Sequence, residues 1–235
     1  MTLLPQSVLR RSRWLLLLFA VVAVAARAAQ TPTDSDWPMP ARDYASTRYA
    51  PLPEITRANV GSLKLAFTFS TGVLRGHEAA PIVAAGLMYI VTPYPNIVYA
   101  LDLARPGAPL KWKFEPKPES FAQGVALFDV VNRGVVYADG KVFFNTLDNQ
   151  TIALAADSGK ELWRYRAGNV RAGETRTMAP LVVKGRVLVG NSGGEFGVRG
   201  WLTALDATSG KELWRAYSTG SDKDVLIGDP YQPFY

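Results

Sequence analysis

Ser158-Gly159-Lys160-Glu161-Leu162-Trp163-Arg164 recurs without change as Ser209-Gly210-Lys211-Glu212-Leu213-Trp214-Arg215. The two tryptophans stand 51 residues apart, and Trp112 lies 51 residues before the first. Each copy follows an Ala-Leu step: Ala100-Leu101, Ala153-Leu154 and Ala204-Leu205. A string shared at a fixed period of this length marks a structural repeat.

Working outward, each Ala-Leu step is preceded by a glycine-opened apolar run. These are Gly86-Leu-Met-Tyr-Ile-Val, Gly140-Lys-Val-Phe-Phe-Asn and Gly185-Arg-Val-Leu-Val-Gly. Further upstream lie Ala80-Pro-Ile-Val-Ala, Gly134-Val-Val-Tyr-Ala and Ala179-Pro-Leu-Val-Val. Short apolar runs rich in β-branched residues and bounded by glycine read as strands, and no stretch after the leader sustains a helical period. Each repeat therefore predicts about four short strands, with the Ser-Gly pair turning into the strand that carries the tryptophan. Units of this kind are blades of an all-β propeller. The recurring tryptophan is expected to pack against the next blade, since a ring of that size buries about 150–250 Å².

The first 28 residues have the layout of a cleavable signal peptide. Arg10, Arg11 and Arg13 precede the apolar run 14–25, and Ala26-Arg27-Ala28 fits a small-x-small cleavage site. The run of 12 residues falls short of the roughly 20 that a membrane span needs. The expected organisation is a signal peptide over 1–28 and a partial propeller over 29–235, exported to the periplasm and without a stable membrane span after cleavage.

The net charge of +6 does not point to nucleic acid: four arginines lie in the leader, leaving 22 basic against 20 acidic residues with no basic block. The absence of cysteine excludes disulfides, thiolate metal sites and c-type haem attachment.

At this point the chain resembles the methanol/ethanol dehydrogenase family of pyrroloquinoline quinone (PQQ) enzymes. The resemblance rests on Asp36-Trp37-Pro38, Arg48-Tyr49-Ala50-Pro51-Leu52, Phe69-Ser70-Thr71-Gly72-Val73, Gly76-His77-Glu78 and residues 129–134. It continues through Thr177-Met178-Ala179-Pro180, residues 191–200 and 215–220, with Asn191-Ser192-Gly193-Gly194-Glu195 its most specific piece. The resemblance implies an eight-bladed propeller in the complete protein, of which this chain supplies about half the ring. At about 50 residues per repeat, the chain after the leader amounts to roughly four blades' worth, part of it N-terminal extension and loops.

The resemblance also implies a cofactor site. Arg133 matches an arginine that pairs with a PQQ carboxylate, a task for which a planar guanidinium is suited. Thr177 and Ser192 match hydroxyl donors, Glu78 an acid that hydrogen-bonds PQQ, and Gly193 and Gly194 let backbone approach the ligand. Glu195 matches a metal-binding glutamate for Ca²⁺ or a lanthanide, hard cations that take oxygen ligands. His77, the single histidine, reads as a turn residue. Leu127 and Phe128 stand where the family commonly has two adjacent cysteines lying on one face of PQQ.

The activity implied is oxidation of a primary alcohol by hydride transfer to metal-bound PQQ, with electrons passed to cytochrome c. The catalytic base is expected beyond Tyr235, so residues 29–235 alone are expected to be inactive, completed by a C-terminal half or paired as a homodimer. The competing reading is a non-catalytic propeller scaffold for protein–protein contacts. It is favoured by Leu127-Phe128 and disfavoured by Arg133 and the 192–195 loop.

Overall fold

A computed structural model describes residues 35–126 and 129–228. The expected signal peptide and the Leu127-Phe128 pair lie outside the described residues. The chain divides into two units, and every described residue belongs to the second, 32–235.

Each repeat forms one four-stranded antiparallel sheet, with its strands in sequence order. The first sheet holds β1 (Ile82–Ala84), β2 (Leu87–Val91), β3 (Val98–Asp102) and β4 (Leu110–Phe114). The second holds β5 (Val136–Ala138), β6 (Lys141–Asn145), β7 (Gln150–Ala155) and β8 (Glu161–Arg166). The third holds β9 (Leu181–Val183), β10 (Arg186–Gly190), β11 (Trp201–Asp206) and β12 (Glu212–Tyr217). The expected strands and their tryptophans fall where the repeat places them.

The same turn chemistry recurs in each sheet. The first hairpin closes on Ala85-Gly86, Asp139-Gly140 or Lys184-Gly185, and both residues of each pair have positive φ. That is the two-residue turn whose twist matches the strands it joins. The third and fourth strands carry a register shift at Ala100/Leu101, Ala153/Leu154 and Ala204/Leu205.

Successive sheets pack face to face, with β1 beside β5 and β5 beside β9. Strand β6 shows why its run is apolar throughout. Val142 and Phe144 enter the core shared with the first sheet, while Phe143 enters the core shared with the third. Alternating side chains of one strand thus meet two hydrophobic partners. Trp112 donates from Nε1 to the Ala156 carbonyl at 2.9 Å, and Trp163 repeats this on Ala207 at 3.2 Å. Their rings lie flat on Gly159 and Gly210, where a Cβ would sit 2.7 and 2.6 Å from ring carbons. Each docked ring contributes at most about 4–6 kcal/mol at about 25 cal/mol/Å².

The chain before β1 ties the three sheets together. Trp37 exchanges backbone hydrogen bonds with Val83 of β1, and the Pro38 carbonyl accepts from Tyr137 N of β5. The Tyr44 hydroxyl donates to the Val182 carbonyl of β9 at 2.5 Å. Residues 45–81 contain turns, a short 3₁₀ turn at Val60–Ser62 and extended chain but no strand. The four blades' worth of sequence therefore yields three sheets among the described residues.

Candidate functional site

The strands place a set of loops at one end of the sheets. Segment 129–133 leads into β5, segment 175–177 leads into β9, and loop 191–200 joins β10 to β11. Together with the chain before β1 they line a cleft of about 220 Å³ formed by Glu78, Ala126, Asp129, Val131, Arg133, Thr175, Thr177, Ser192 and Glu195. Five residues singled out from sequence, Glu78, Arg133, Thr177, Ser192 and Glu195, thus meet in one place although 117 positions separate the first from the last.

Two backbone pairings set the walls. Arg133 N donates to the Thr177 carbonyl at 2.9 Å, tying the segments before β5 and β9. Thr175 and Ser192 exchange backbone bonds at 3.3 and 2.8 Å, tying the segment before β9 to the loop. The Arg133 guanidinium, itself exposed, donates to Thr177 Oγ1 at 2.5 Å and pairs with Glu78 at 3.1 Å. The sequence reading assigned these three residues separately to a ligand and did not anticipate that they bind one another. An arginine already aimed and partly neutralised keeps other N–H donors for a carboxylate in the cleft.

The two glycines differ. Gly193 is buried with φ +123, and a Cβ there would stand 2.6 Å from the Gly173 carbonyl, so only glycine fits. Gly194 opens the 3₁₀ turn Gly194–Phe196, and a Cβ there would meet nothing within 4 Å. That turn holds Glu195 exposed at the cleft. His77 lies in irregular chain before β1 rather than in an assigned turn, its ring nitrogens 2.8 Å from the Arg75 carbonyl and 3.1 Å from Thr71 Oγ1.

Sequence reasoning gave no site role to Ala126, Asp129, Val131 and Thr175 of the lining, nor to Arg176. Alternation around Thr177 could have found Thr175. Nothing local marks Arg176, because an arginine between threonines ordinarily reads as exposed; it is 1% exposed.

The chain matches the PQQ glucose/ethanol/alcohol dehydrogenase β-propeller model over residues 37–224. The chain belongs to that family. It is 52% identical over 195 residues to a lanthanide-dependent methanol dehydrogenase of Methylacidiphilum fumariolicum (strain SolV), covering 83% of this chain and 32% of the relative. It is 45% identical over 205 residues to the methanol dehydrogenase [cytochrome c] subunit 1 of Methylobacterium organophilum, covering 85% and 33%. A solved europium-containing methanol dehydrogenase superposes with a TM-score of 0.81 at 52% identity, covering 83% of this chain and 34% of that one. The chain thus spans about a third of the length of these PQQ-family relatives.

The donor set of the family's cofactor site fits this cleft in part. Arg133 and the hydroxyls of Thr177 and Ser192 would suit a flat polyanion. Among the described residues no three His, Asp or Glu side chains converge on a metal-sized point, so a cation at Glu195 would have a single carboxylate from the loop. A Ca²⁺-like cation takes six to eight oxygens, and the others would come from the cofactor and from further residues. Among the described residues no helix is long and apolar enough to cross a membrane.

Proposed function

We propose that this chain is part of a periplasmic PQQ-dependent alcohol dehydrogenase, and that the cleft binds PQQ together with a metal ion. What carries the reading is the convergence of Glu78, Arg133, Thr177, Ser192 and Glu195 on one cleft from four separate segments. PQQ, when bound, supplies a two-electron acceptor for a primary alcohol, and cytochrome c takes the electrons onward.

The chain's own residues bind and orient. Arg133 holds a carboxylate of the cofactor through its free N–H donors, with Glu78 and Thr177 fixing the guanidinium. Thr177 and Ser192 add hydroxyl bonds. Gly193 lets the backbone of the loop lie close to the ligand, and Glu195 gives an oxygen to the metal. The likeness to a lanthanide-dependent methanol dehydrogenase and to a methanol dehydrogenase [cytochrome c] subunit supports both the lanthanide and the cytochrome readings. None of these residues is assigned as the catalytic base, and residues 29–235 alone are expected to turn over no alcohol.

Titration of the intact protein with PQQ in the presence of Ca²⁺ or a lanthanide tests the reading. Saturable binding that Arg133→Ala weakens supports it. No binding favours the non-catalytic scaffold.

A further inference from the structure

One guanidinium reaches both ends of the loop that carries Ser192 and Glu195. Arg176 Nε donates at 2.8 Å to the carbonyl of Gly190, the residue before the loop. Its guanidinium carbon lies 5.2 Å from the ring centroid of Trp201, the residue after the loop. Its Nη1 donates to Thr151 Oγ1 at 2.6 Å and Asn145 Oδ1 at 3.3 Å, both on the second sheet. Arg176 stands between Thr175 and Thr177, two residues of the cleft wall. Among the described residues no carboxylate oxygen forms a direct ion pair with it, and its Nη2 is buried without a hydrogen-bond partner.

The surroundings are built to hold it. Arg215 lies over the same Trp201 ring at 4.3 Å. Glu174 accepts from Trp201 Nε1 at 2.9 Å and from Asn191 Nδ2 at 3.3 Å. Asn191 Oδ1 accepts from Trp201 N at 2.9 Å, which closes the base of the loop. Burial, then the neighbouring Arg215, holds the Arg176 guanidinium down to about 9, so it is still a cation at neutral pH. Glu174 and Asp148 act on it only at longer range; a cation placed in the interior without a direct carboxylate partner is costly, and apolar replacements of buried charges are often neutral or stabilising. Stability therefore does not explain an arginine at this position, whereas a clamp on two sheets and both ends of one loop does.

We infer that Arg176 is a positioning residue for the metal corner of the cleft: it fixes the loop 191–200, and with it Glu195, relative to the Thr175–Thr177 wall. This rests on the reading of the cleft given above. A lysine has one terminal nitrogen and cannot bridge Gly190 and Thr151 with a rigid fork.

The test titrates Eu³⁺ into the intact, metal-free protein with PQQ present, following affinity and luminescence lifetime, which reports the water bound to the ion. Glu195→Gln comes first: wild-type affinity in that variant defeats the cleft reading and the inference with it. Given a loss there, Arg176→Met is expected to raise the Eu³⁺ dissociation constant at least tenfold and shorten the lifetime while the protein stays folded. Wild-type affinity and lifetime in Arg176→Met overturn the inference and leave the cleft reading intact. Should Arg176→Met not fold, Arg176→Lys decides by the same two readouts: weakened binding with a shorter lifetime supports the clamp, and wild-type values overturn it.

Discussion

Arg133 and Thr177 are joined twice, by backbone N–H to carbonyl at 2.9 Å and by guanidinium to hydroxyl at 2.5 Å. Because Arg133 leads into β5 and Thr177 into β9, this double link fixes the spacing of two neighbouring sheets at the cleft. The fork matters as much as the charge. Arg133→Lys is expected to raise the PQQ dissociation constant of the intact protein at least tenfold, the equivalent of about 1.4 kcal/mol, within the range of a lost charge-assisted hydrogen bond. A fluorescence titration reads it, and an unchanged constant would show that Arg133 does not contact the cofactor.

The tryptophan seats can be tested by adding one methyl group. At Gly210 (φ +72) a Cβ would sit 2.6 Å from the Trp163 ring, whereas at Gly86 (φ +75) it meets nothing within 4 Å. Both alanines carry a similar left-handed strain of about 1–2 kcal/mol. Gly210→Ala adds overpacking of about 1–3 kcal/mol. Denaturant melts are expected to rank Gly210→Ala clearly below Gly86→Ala, and equal melts would refute docking as the reason for the repeated glycine.

Alkaline stability depends on Tyr89. Burial, then the nearby Tyr137, pushes its phenol well above the usual value of 10.0. A folded-state value raised above the unfolded one favours the neutral form, so the stability is fully present below about pH 10 and is lost as pH rises beyond it. Tyr89→Phe gives up the bond to the Ala156 carbonyl at 3.3 Å, costing about 1 kcal/mol at neutral pH. Its stability should then fall less steeply than the wild type's between pH 9 and 11 (a range on the order of the tyrosine titration), and parallel curves would count against the account.

The two loop glycines should separate. Gly193→Ala drives a methyl into the Gly173 carbonyl, while Gly194→Ala points one into open space. The first is expected to weaken binding of PQQ and metal by an order of magnitude or more, about 1.4 kcal/mol per tenfold. The second should bind within about twofold of wild type, a few tenths of a kcal/mol on the same scale. Calorimetric titration of both variants decides it, and equal losses would mean that Gly193 is not the hinge on which the loop depends.

The strands and turns were legible because they are local. A period of 51, glycine at each hairpin and apolar runs such as 141–145 specify blades without reference to anything distant. The resemblance then named Glu78, Arg133, Thr177, Ser192 and Glu195. It did not reveal that Glu78, Arg133 and Thr177 engage one another, nor that Arg176, next to Thr177, is buried. Each of those facts joins residues from segments far apart in the chain.

The sequence by itself determined the repeat, its four strands, the tryptophan in the last of them and the family. Backbone propensity, turn chemistry and side-chain alternation act over a few residues and need no partner. Only the tertiary structure decided that three sheets form from the repeats, that residues 37–44 cross their first strands, and that one cleft collects loops from four segments. Those outcomes depend on how each sheet packs on the next, through Trp112 on Gly159 and Trp163 on Gly210. The guanidinium of Arg176 acquires its place for the same reason: Gly190, Trp201, Asn145 and Thr151 come within its reach only after two sheets have docked.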